Sequence, residues 1–270
     1  MSIKNPLVSV AMTVYNSERF IRDQLDSLLS QTYSNIEVVI SDDGSTDNTQ
    51  NILSEYAGKD KRIRWSASLR ERGVLSNFTE AISRCNGEII FLCDCDDVWY
   101  SNKIQLHMDK YKDKSIQWVY NKVVVTNEEN KPIGCLKDFI GSNYYDKERR
   151  RLSYYTWGSC ILGCATSFRA SLLKNIWPAP PHTPSHDSWI QLAIWPAKPF
   201  FIDEYLQDYR QHLNNVTGLR KHGTESLAIG SNLFFLKSLV LSNHIQLWKR
   251  GFFFLVILGK KIRGLLKSLI

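Results

Sequence analysis

Short apolar runs alternate with segments in which apolar residues recur every three or four positions over the first hundred residues. Such runs are typical of buried strands, and the wider spacing is typical of amphipathic helices. The runs predict four strands, at Leu7–Val14, Ile36–Ile40, Ile63–Trp65 and Glu88–Leu92. The wider spacing predicts three intervening helices, marked by Phe20, Ile21, Leu25, Leu28 and Leu29, by Ile52, Leu53 and Tyr56, and by Phe78, Ala81, Ile82 and Cys85. This alternation predicts an α/β fold with a mainly parallel sheet and helices on both faces.

Weaker signals organise the rest of the chain. Asn16 or Ser17 can cap the first helix, because their side chains accept hydrogen bonds from free backbone N–H groups. Beyond the fourth strand we expect a helix over Ser101–Tyr111, one or two strands over Gln117–Thr126, a turn over Asn127–Lys131, a loop over Ile140–Arg151 and a strand over Phe200–Leu206. The proline-rich stretch Trp177–Pro184 is not expected to form regular structure.

Polar clusters stand directly after three of the predicted strands, at Thr13–Asn16, Asp42–Ser45 and Asp94–Asp97. In a parallel sheet the carboxyl ends of neighbouring strands meet at one edge, and ligands bind beyond that edge. Carboxylates gathered there repel one another unless a cation lies between them. The three clusters therefore predict a ligand site at the carboxyl edge of the sheet.

The cluster of Asp94, Asp96 and Asp97 has the chemistry of a site for a hard divalent cation. Mg²⁺ and Mn²⁺ prefer carboxylate oxygens and share them with substrate phosphates. The structural alternative is a helix start, where a single acid is favourable. Three acids within four residues exceed that need, and we therefore predict a metal–diphosphate site here.

The composition narrows the class of partner. The 270 residues are 43% apolar and 23% charged, which suits a globular core, and the net charge is +7. A basic chain can bind nucleic acid, an anionic membrane or a phosphate-bearing substrate. The sequence lacks the basic and aromatic interleaving typical of nucleic-acid binding.

Near the end of the sequence, one helical face carries Leu258, Ile262, Leu265, Leu266 and Leu269, and the other carries Lys260, Arg263 and Lys267. That pattern predicts either a peripheral membrane helix or a helix packed on the domain.

Signals for export and membrane insertion are not found in the sequence. The first residues do not have the pattern of a secretory signal, and no segment has the roughly 20 continuous apolar residues that span a bilayer. The six cysteines do not have zinc-site spacing and are expected to be reduced. With the basic C-terminal pattern, these features predict a cytoplasmic protein that is peripheral on the inner face of the plasma membrane.

Five motifs in the chain resemble, in order, those of family 2 glycosyltransferases, which have the glycosyltransferase A fold. They are Val8–Asn16, Ser30–Tyr33, Val38–Asp47, Asp94–Asp97 and His186–Asp187. The resemblance covers about residues 6–218, and the shared order makes it specific to the family. It implies a bound Mn²⁺ or Mg²⁺ and an inverting transfer of a sugar from a nucleotide diphosphate to an acceptor hydroxyl.

The resemblance implies how the donor nucleotide is bound. Thr13 and Tyr15 would line its base, and Asp43, with Asp42, would bond the pyrimidine ring. Arg72 precedes the third helix and could approach the donor as well. The ordinary alternatives are a core position for Tyr15 and turn caps for the two aspartates.

The resemblance also implies a metal site and a catalytic base. Asp94 and Asp96 would hold the ribose and the metal–diphosphate, with Asp97 nearby. Asp187 would deprotonate the acceptor as general base, although the same residue could simply cap the helix that follows. His212 could reach the metal or a phosphate from a later loop, or it could be solvated like most histidines in polar loops.

Further residues fall in the predicted diphosphate and acceptor loops, namely His186, Trp189 and Arg210. His186 could tune Asp187 or merely pack, and Arg210 could pair with the diphosphate or with a structural acid. The stretches Asp187–Trp189 and Tyr209–Gly218 resemble a bacterial subgroup of rhamnosyltransferases. That resemblance implies a dTDP-rhamnose donor, and UDP-hexoses remain an alternative.

The combined expectation is an inverting glycosyltransferase of bacterial cell-surface polysaccharide synthesis that acts on a glycan or a lipid-linked glycan. Residues 1–220 would form its catalytic domain, with nucleotide-sugar binding over 1–115 and acceptor binding over 116–220, and residues 221–270 the membrane-associating tail. Competing classes are a sugar nucleotidyltransferase, a non-catalytic sugar- or nucleotide-binding module and a nucleic-acid binder. The first would need a glycine-rich basic loop after the first strand, which Thr13–Phe20 does not contain.

Overall fold

The computed structural model describes residues 5–140, 161–179, 183, 186, 187, 189, 190, 199–213 and 215. Their strands are β1 (Val8–Val14), β2 (Ile36–Asp42), β3 (Ile63–Ala67), β4 (Ile89–Cys93), β5 (Val98–Trp99), β6 (Trp118–Thr126), β7 (Pro132–Cys135), β8 (Thr166–Arg169) and β9 (Pro199–Arg210). Their α-helices are α1 (Ile21–Leu29), α2 (Thr49–Lys59), α3 (Val74–Ser83), α4 (Lys103–Lys110) and α5 (Leu136–Ile140). Two 3₁₀ turns, Gly163–Ala165 and Ala170–Asn175, flank β8.

The described strands form one sheet in the order β3-β2-β1-β4-β8-β6-β9-β5, with β7 paired to β6. The first four of these are mutually parallel, and the register places Val14 opposite Asp42. β8 is antiparallel to β4 and β6, whereas β9 is parallel to β6 and antiparallel to β5. The predicted α/β fold is confirmed, and every antiparallel pair among the described strands includes β6, β8 or β9.

Successive side chains of β1 point to opposite faces of the sheet, and helices cover both faces. Val10 and Met12 are buried in a cluster with residues of α1, α2 and α4, whereas Ala11 is buried in a cluster with residues of α3. Because both faces are covered, the strand has a continuous apolar run instead of an alternating pattern. The parallel arrangement then leaves the carboxyl ends of β1, β2 and β4 at one edge.

The predicted cap of the first helix is wrong. α1 begins at Ile21 without a side-chain cap. The Ser17 hydroxyl donates instead to the carbonyl oxygen of Tyr15, and Asn16 Oδ1 accepts the N–H of Thr46 at 2.8 Å. Asn16 also has a φ of +47°, a left-handed conformation that asparagine tolerates better than most residues. Both side chains therefore stabilise the loops at the carboxyl edge.

Several predictions concern residues outside the described ones. They include most of the loop after Ile140, Cys160 and the whole of residues 216–270, with the basic amphipathic pattern. Cys85, Cys93, Cys95, Cys135 and Cys164 are free thiols. Among the helices that the structure describes, none is both long and apolar enough to cross a membrane.

Candidate functional site

The three polar clusters meet at the carboxyl edge of the sheet. The backbone N–H of Asn16, after β1, donates to the hydroxyl of Ser45, after β2, at 2.9 Å. The hydroxyl of Ser17 lies 2.9 Å from the thiol of Cys95, which belongs to the acidic cluster after β4. Direct contacts thus join segments about 30 and 78 residues apart in sequence.

The two aspartates after β2 have different surroundings. Asp42 is fully buried, and its carboxylate accepts hydrogen bonds from Ser45 and from the Gln50 amide, so it caps the turn. Asp43 accepts the N–H of Gly73 on Oδ2 at 2.9 Å, whereas its Oδ1 is buried and has no hydrogen-bond partner among the residues that the structure describes. A buried acceptor without a donor is unfavourable, so Asp43 Oδ1 is suited to a donor from a ligand.

An aromatic and a cationic side chain lie beside Asp43. Tyr15 is 49% exposed, which excludes the core position, and the Arg72 guanidinium lies 5.8 Å from the centre of its ring. Arg72 also donates to the carbonyl oxygen of Gly44 at 3.4 Å. Thr13 is half-buried in β1 opposite Ser41. The exposed ring and the unpaired carboxylate oxygen give this end of the site the chemistry to bind a heterocyclic base.

Asp97 belongs to a buried structural network. Its carboxylate accepts the Gln207 amide N–H at 2.9 Å and the backbone N–H of Arg210 at 3.2 Å. The ammonium group of Lys103, also fully buried, donates to the side-chain oxygen of Gln207 and to the carbonyl oxygen of Cys164. Burial lowers the pKa of Lys103 to about 8. The sequence analysis did not identify Lys103 or Gln207, because neither belongs to a recognisable motif.

Asp94 and Asp96 are only partly buried. Burial, followed by the charges of Asp96 and Asp187, raises the pKa of Asp94 to about 7. Asp96 Oδ2 accepts hydrogen bonds from His212 Nε2 at 2.9 Å and from the Asn215 amide at 3.0 Å. The segment after β9 thus brings the His212 imidazole to the acidic cluster. This position agrees with the interpretation that His212 reaches the metal site, and it does not agree with a solvated histidine.

Arg210 and Trp189 lie away from the position predicted for them. The Arg210 side chain is buried, donates to Asp23 at 2.8 Å and lies over the ring of Phe20, so it has the structural alternative of an acid partner. Trp189 is fully buried, and its indole N–H donates to the carbonyl oxygen of Ile176 at 2.7 Å. Both side chains are buried against protein partners, which favours structural roles over direct contact with the diphosphate or the acceptor.

Asp187 is half-buried and near enough to Asp94 to raise its pKa. The preceding residue, His186, is buried and stacks on Phe78, with ring centres 3.8 Å apart. Burial lowers the pKa of His186, and the charge of Asp187 partly opposes this effect. The structure therefore brings Asp187 to the acidic cluster and encloses His186 in the core.

The residues present fit a divalent cation at the outer part of the cluster. Ligand atoms of Asp94, Asp97 and Cys164 lie within 4.8 Å of one another. However, both oxygens of Asp97 already accept N–H groups, and the Lys103 ammonium lies on that side. Asp94 and Asp96 remain as the fitting pair, because carboxylate oxygens suit Mn²⁺ or Mg²⁺. His212 Nε2 donates to Asp96 Oδ2 and would bind a cation only in place of this hydrogen bond.

Comparison with solved structures supports the fold. The S. aureus TarS fragment 1–349, in a structure with UDP-GlcNAc, aligns with 90% of this chain and 69% of its own at a TM-score of 0.64 and 16% identity. The Pyrobaculum calidifontis mannosyltransferase PcManGT, in a structure with GDP-Man and Mn²⁺, aligns with 98% of this chain and 81% of its own at a TM-score of 0.60 and 17% identity. These similarities establish the glycosyltransferase A fold.

Comparison of sequences identifies the family. The Escherichia coli UDP-Glc:alpha-D-GlcNAc-diphosphoundecaprenol beta-1,3-glucosyltransferase WfgD is 31% identical over 46% of this chain and 48% of its own, so the similarity spans about half of that relative. The putative teichuronic acid biosynthesis glycosyltransferase TuaG of Bacillus subtilis is 27% identical over 78% of this chain and 82% of its own. A sequence profile described as Glycosyl transferase family 2 matches residues 9–177. The chain therefore belongs to glycosyl transferase family 2.

Proposed function

We propose that this chain transfers a sugar from a nucleoside-diphosphate donor to an acceptor hydroxyl, with inversion, during the synthesis of a bacterial cell-surface glycan. The observation that carries the proposal is the meeting of three strand-end clusters with Asp187 and His212 at one edge of the sheet. The similarity to the E. coli glucosyltransferase and to the putative B. subtilis teichuronic acid glycosyltransferase supports the same class.

Asp43 and Tyr15 favour a base that carries a ring N–H, and the family resemblance makes that base a pyrimidine. Uracil and thymine carry a ring N–H that can donate to the unpaired Asp43 Oδ1, and the exposed Tyr15 ring offers a face for stacking. Thr13 and Arg72 complete the proposed donor-binding residues. Both UDP-hexoses and dTDP-rhamnose satisfy this chemistry, so the rhamnose donor stays one of the candidates.

Asp187 is proposed as the general base. It would accept the proton of the acceptor hydroxyl while that oxygen bonds to the anomeric carbon and the bond to the diphosphate breaks on the opposite face. Asp94, Asp96 and His212 would hold Mn²⁺ or Mg²⁺, which would neutralise the charge of the departing diphosphate. Asp97 would keep this cluster in place through Gln207 and the backbone of Arg210.

The proposed acceptor is a glycan or a lipid-linked glycan, since the E. coli relative's name includes a diphosphoundecaprenol acceptor. A lipid-linked acceptor would agree with peripheral attachment to the inner face of the plasma membrane through the basic residues between 258 and 269. Sedimentation with anionic and neutral vesicles tests this attachment. Equal sedimentation with both kinds of vesicle would contradict an electrostatic contact.

A donor panel tests the function without knowledge of the acceptor. The protein is incubated with UDP-, dTDP- and GDP-sugars in Mn²⁺, Mg²⁺ or chelator, and released nucleoside diphosphate is measured. We expect slow metal-dependent release from one pyrimidine donor. Binding without release from any donor would favour the nucleotide-binding module. The absence of binding to every donor would contradict the transferase proposal.

Replacing Asp43 with asparagine is expected to weaken UDP binding by about tenfold or more. The asparagine oxygen can keep the Gly73 N–H, and its amide group then faces the uracil N–H, so two donors oppose each other. The affinity for CDP should fall less, because the ring nitrogen of cytosine can accept a hydrogen bond from the asparagine amide. Titration calorimetry of both nucleotides, with Asp26→Asn as a control at an exposed site, measures this. Equal losses for UDP and CDP would contradict the proposed contact.

Metal binding should stabilise the protein more strongly as the pH rises. The pKa of Asp94 is raised from 3.8 to about 7 by burial and by Asp96 and Asp187, while Lys103 and a Cys164 hydrogen bond oppose the rise. A raised pKa means that the protonated carboxyl favours the folded state. In the metal-free protein, the contribution of this protonated carboxyl to the free energy of unfolding is therefore lost as the pH rises from about 4 to about 7. A cation needs the ionised carboxylate, so its benefit increases over that range.

Thermal unfolding at pH 5 and pH 8, with and without Mn²⁺, measures this dependence. We expect Mn²⁺ to raise the midpoint of unfolding clearly at pH 8 and little at pH 5. In Asp94→Asn the effect of Mn²⁺ should differ much less between the two pH values. A shift of the same size at both pH values in the unmodified protein would contradict the assignment.

A further inference from the structure

One short turn contacts both the proposed base and the acidic cluster. Gly163, its first residue, lies against His186 and Asp187. In Cys164, the next residue, the carbonyl oxygen accepts the Lys103 ammonium at 2.7 Å, and the thiol lies within 4.8 Å of ligand atoms of Asp94 and Asp97. The turn therefore joins two parts of the site that are about 90 residues apart in the chain.

The space at Gly163 is too small for a side chain. A Cβ atom there would lie 2.9 Å from His186 Nε2, 3.3 Å from Asp187 Cβ and 3.6 Å from Leu92 Cδ1. Gly163 lies in a 3₁₀ turn and has no positive φ, so alanine could adopt its backbone conformation. The absence of a side chain at this position thus serves close packing against His186 and Asp187.

The imidazole of His186 has little room to move away. Its ring stacks on Phe78 with centres 3.8 Å apart and planes inclined by 23°, and the residue is only 8% exposed. Its Nδ1 is buried without a hydrogen-bond partner among the described residues. The ring is therefore held by the fit between Phe78 and the backbone of Gly163, and a change on either side displaces it.

We propose that Gly163 and His186 are positioning residues for Asp187, and that the turn Gly163–Ala165 sets the distance between this base and the acidic cluster. The inference rests on the proposed function, in which Asp187 is the base. His186 is adjacent to Asp187 in the chain, so a shift of the imidazole moves the backbone that carries the carboxylate. Neither residue needs to contact donor or acceptor to have this effect.

Gly163→Ala tests the inference directly. A displacement of about 1 Å in a reacting group lowers rates by about 10²-fold, and we expect a fall in kcat of about 10–10²-fold. The affinity for nucleoside diphosphate should stay within about twofold, because the three atoms nearest to the new Cβ belong to His186, Asp187 and Leu92 and none belongs to a proposed donor-binding residue. Gly58→Ala is the matched control, since Gly58 lies in α2 and a Cβ there meets no atom within 4 Å. Unchanged kcat in Gly163→Ala would overturn the inference.

A double-mutant cycle with His186→Ala separates positioning from general loss of structure. His186→Ala should lower kcat with little effect on nucleotide affinity. In the His186→Ala background, Gly163→Ala should change kcat by less than about threefold, because the closest contact of the new methyl group, with His186 Nε2, is gone and the 3.3 Å distance to Asp187 Cβ needs only a small adjustment. Losses that multiply would overturn the proposal that Gly163 acts through His186.

Two outcomes distinguish this inference from the function on which it rests. If the unmodified protein releases no nucleotide from any donor, the proposed function fails. If the unmodified protein turns over and Gly163→Ala loses nucleotide affinity and kcat together, the turn is only structural and this inference fails. Thermal unfolding of each variant accompanies the kinetics, and His186→Ala supplies the same test should Gly163→Ala fail to fold.

Discussion

Asp187→Asn is expected to lower turnover by about 10²–10⁴-fold while nucleotide binding is retained. Asparagine has nearly the shape of aspartate, but its amide cannot accept the acceptor's proton. The donor-binding residues, from Thr13 to Asp43, belong to β1 and the loop after β2 and should not be affected. Released nucleoside diphosphate and calorimetric affinity, measured on the same preparation, check both parts of the expectation.

The control for Asp187→Asn is Asp26→Asn, which makes the same chemical change at an exposed carboxylate that accepts the Tyr56 hydroxyl. It should leave turnover within about twofold. Full activity in Asp187→Asn would contradict the role of Asp187 as base. Loss of nucleotide affinity together with turnover would show instead that this residue supports the donor site.

Lys103→Met is expected to lower the free energy of unfolding by about 3–5 kcal/mol at neutral pH. Methionine fills a similar volume, but the half-buried carboxylate of Asp94 and the buried carboxylate of Asp97 lose the cation beside them. The carbonyl oxygen of Cys164 and the side chain of Gln207 lose their donor as well. Chemical denaturation with urea measures the change, and for a chain of this size thermal unfolding should fall by on the order of 10 °C.

The loss in Lys103→Met should depend on pH with a definite sign. The pKa of Asp94 is about 7, so near pH 5 this carboxyl carries a proton and needs no counter-charge. The destabilisation should therefore be smaller at pH 5 than at about pH 7.5, where Asp94 is largely ionised and Lys103, with a pKa of about 8, still carries its proton. Lys112→Met is the matched control, since the Lys112 side chain is 70% exposed and pairs only with Asp109 among the described residues. A similar loss in both variants would contradict the role of Lys103 as counter-ion.

The first half of the fold could be predicted because its signals are local. β1, β2 and β4 are buried on both faces, so each is a short continuous apolar run, and polar residues follow each run directly. The second half was predicted less well. β8 has only the four residues Thr166–Arg169, and β5 only Val98–Trp99, and strands of this length leave almost no periodicity in the sequence. Both strands form because partners distant in the chain lie beside them.

In the candidate site, too, some residues could be predicted from the sequence and others could not. The acids and Tyr15 follow strands and could be predicted from position and residue type. Lys103 and Gln207 could not, because a lysine or glutamine on an ordinary helix or strand is usually exposed, and their burial depends on the packing of α4 against β9. Arg210 likewise pairs with Asp23 of α1, which is 187 residues away in the chain.

The sequence by itself determined the order of strands and helices in the first half of the chain, the edge at which the polar clusters meet and the family, because these follow from runs of neighbouring residues. Only the tertiary structure decided which carboxylates are available. It shows Asp42 and Asp97 occupied by protein donors, Asp43 Oδ1 without one, and Asp96 beside His212. The physical reason is that burial and hydrogen-bond partners decide whether a carboxylate oxygen can bind a ligand. These partners lie up to about 116 residues away in the chain, so the neighbouring residues do not reveal them.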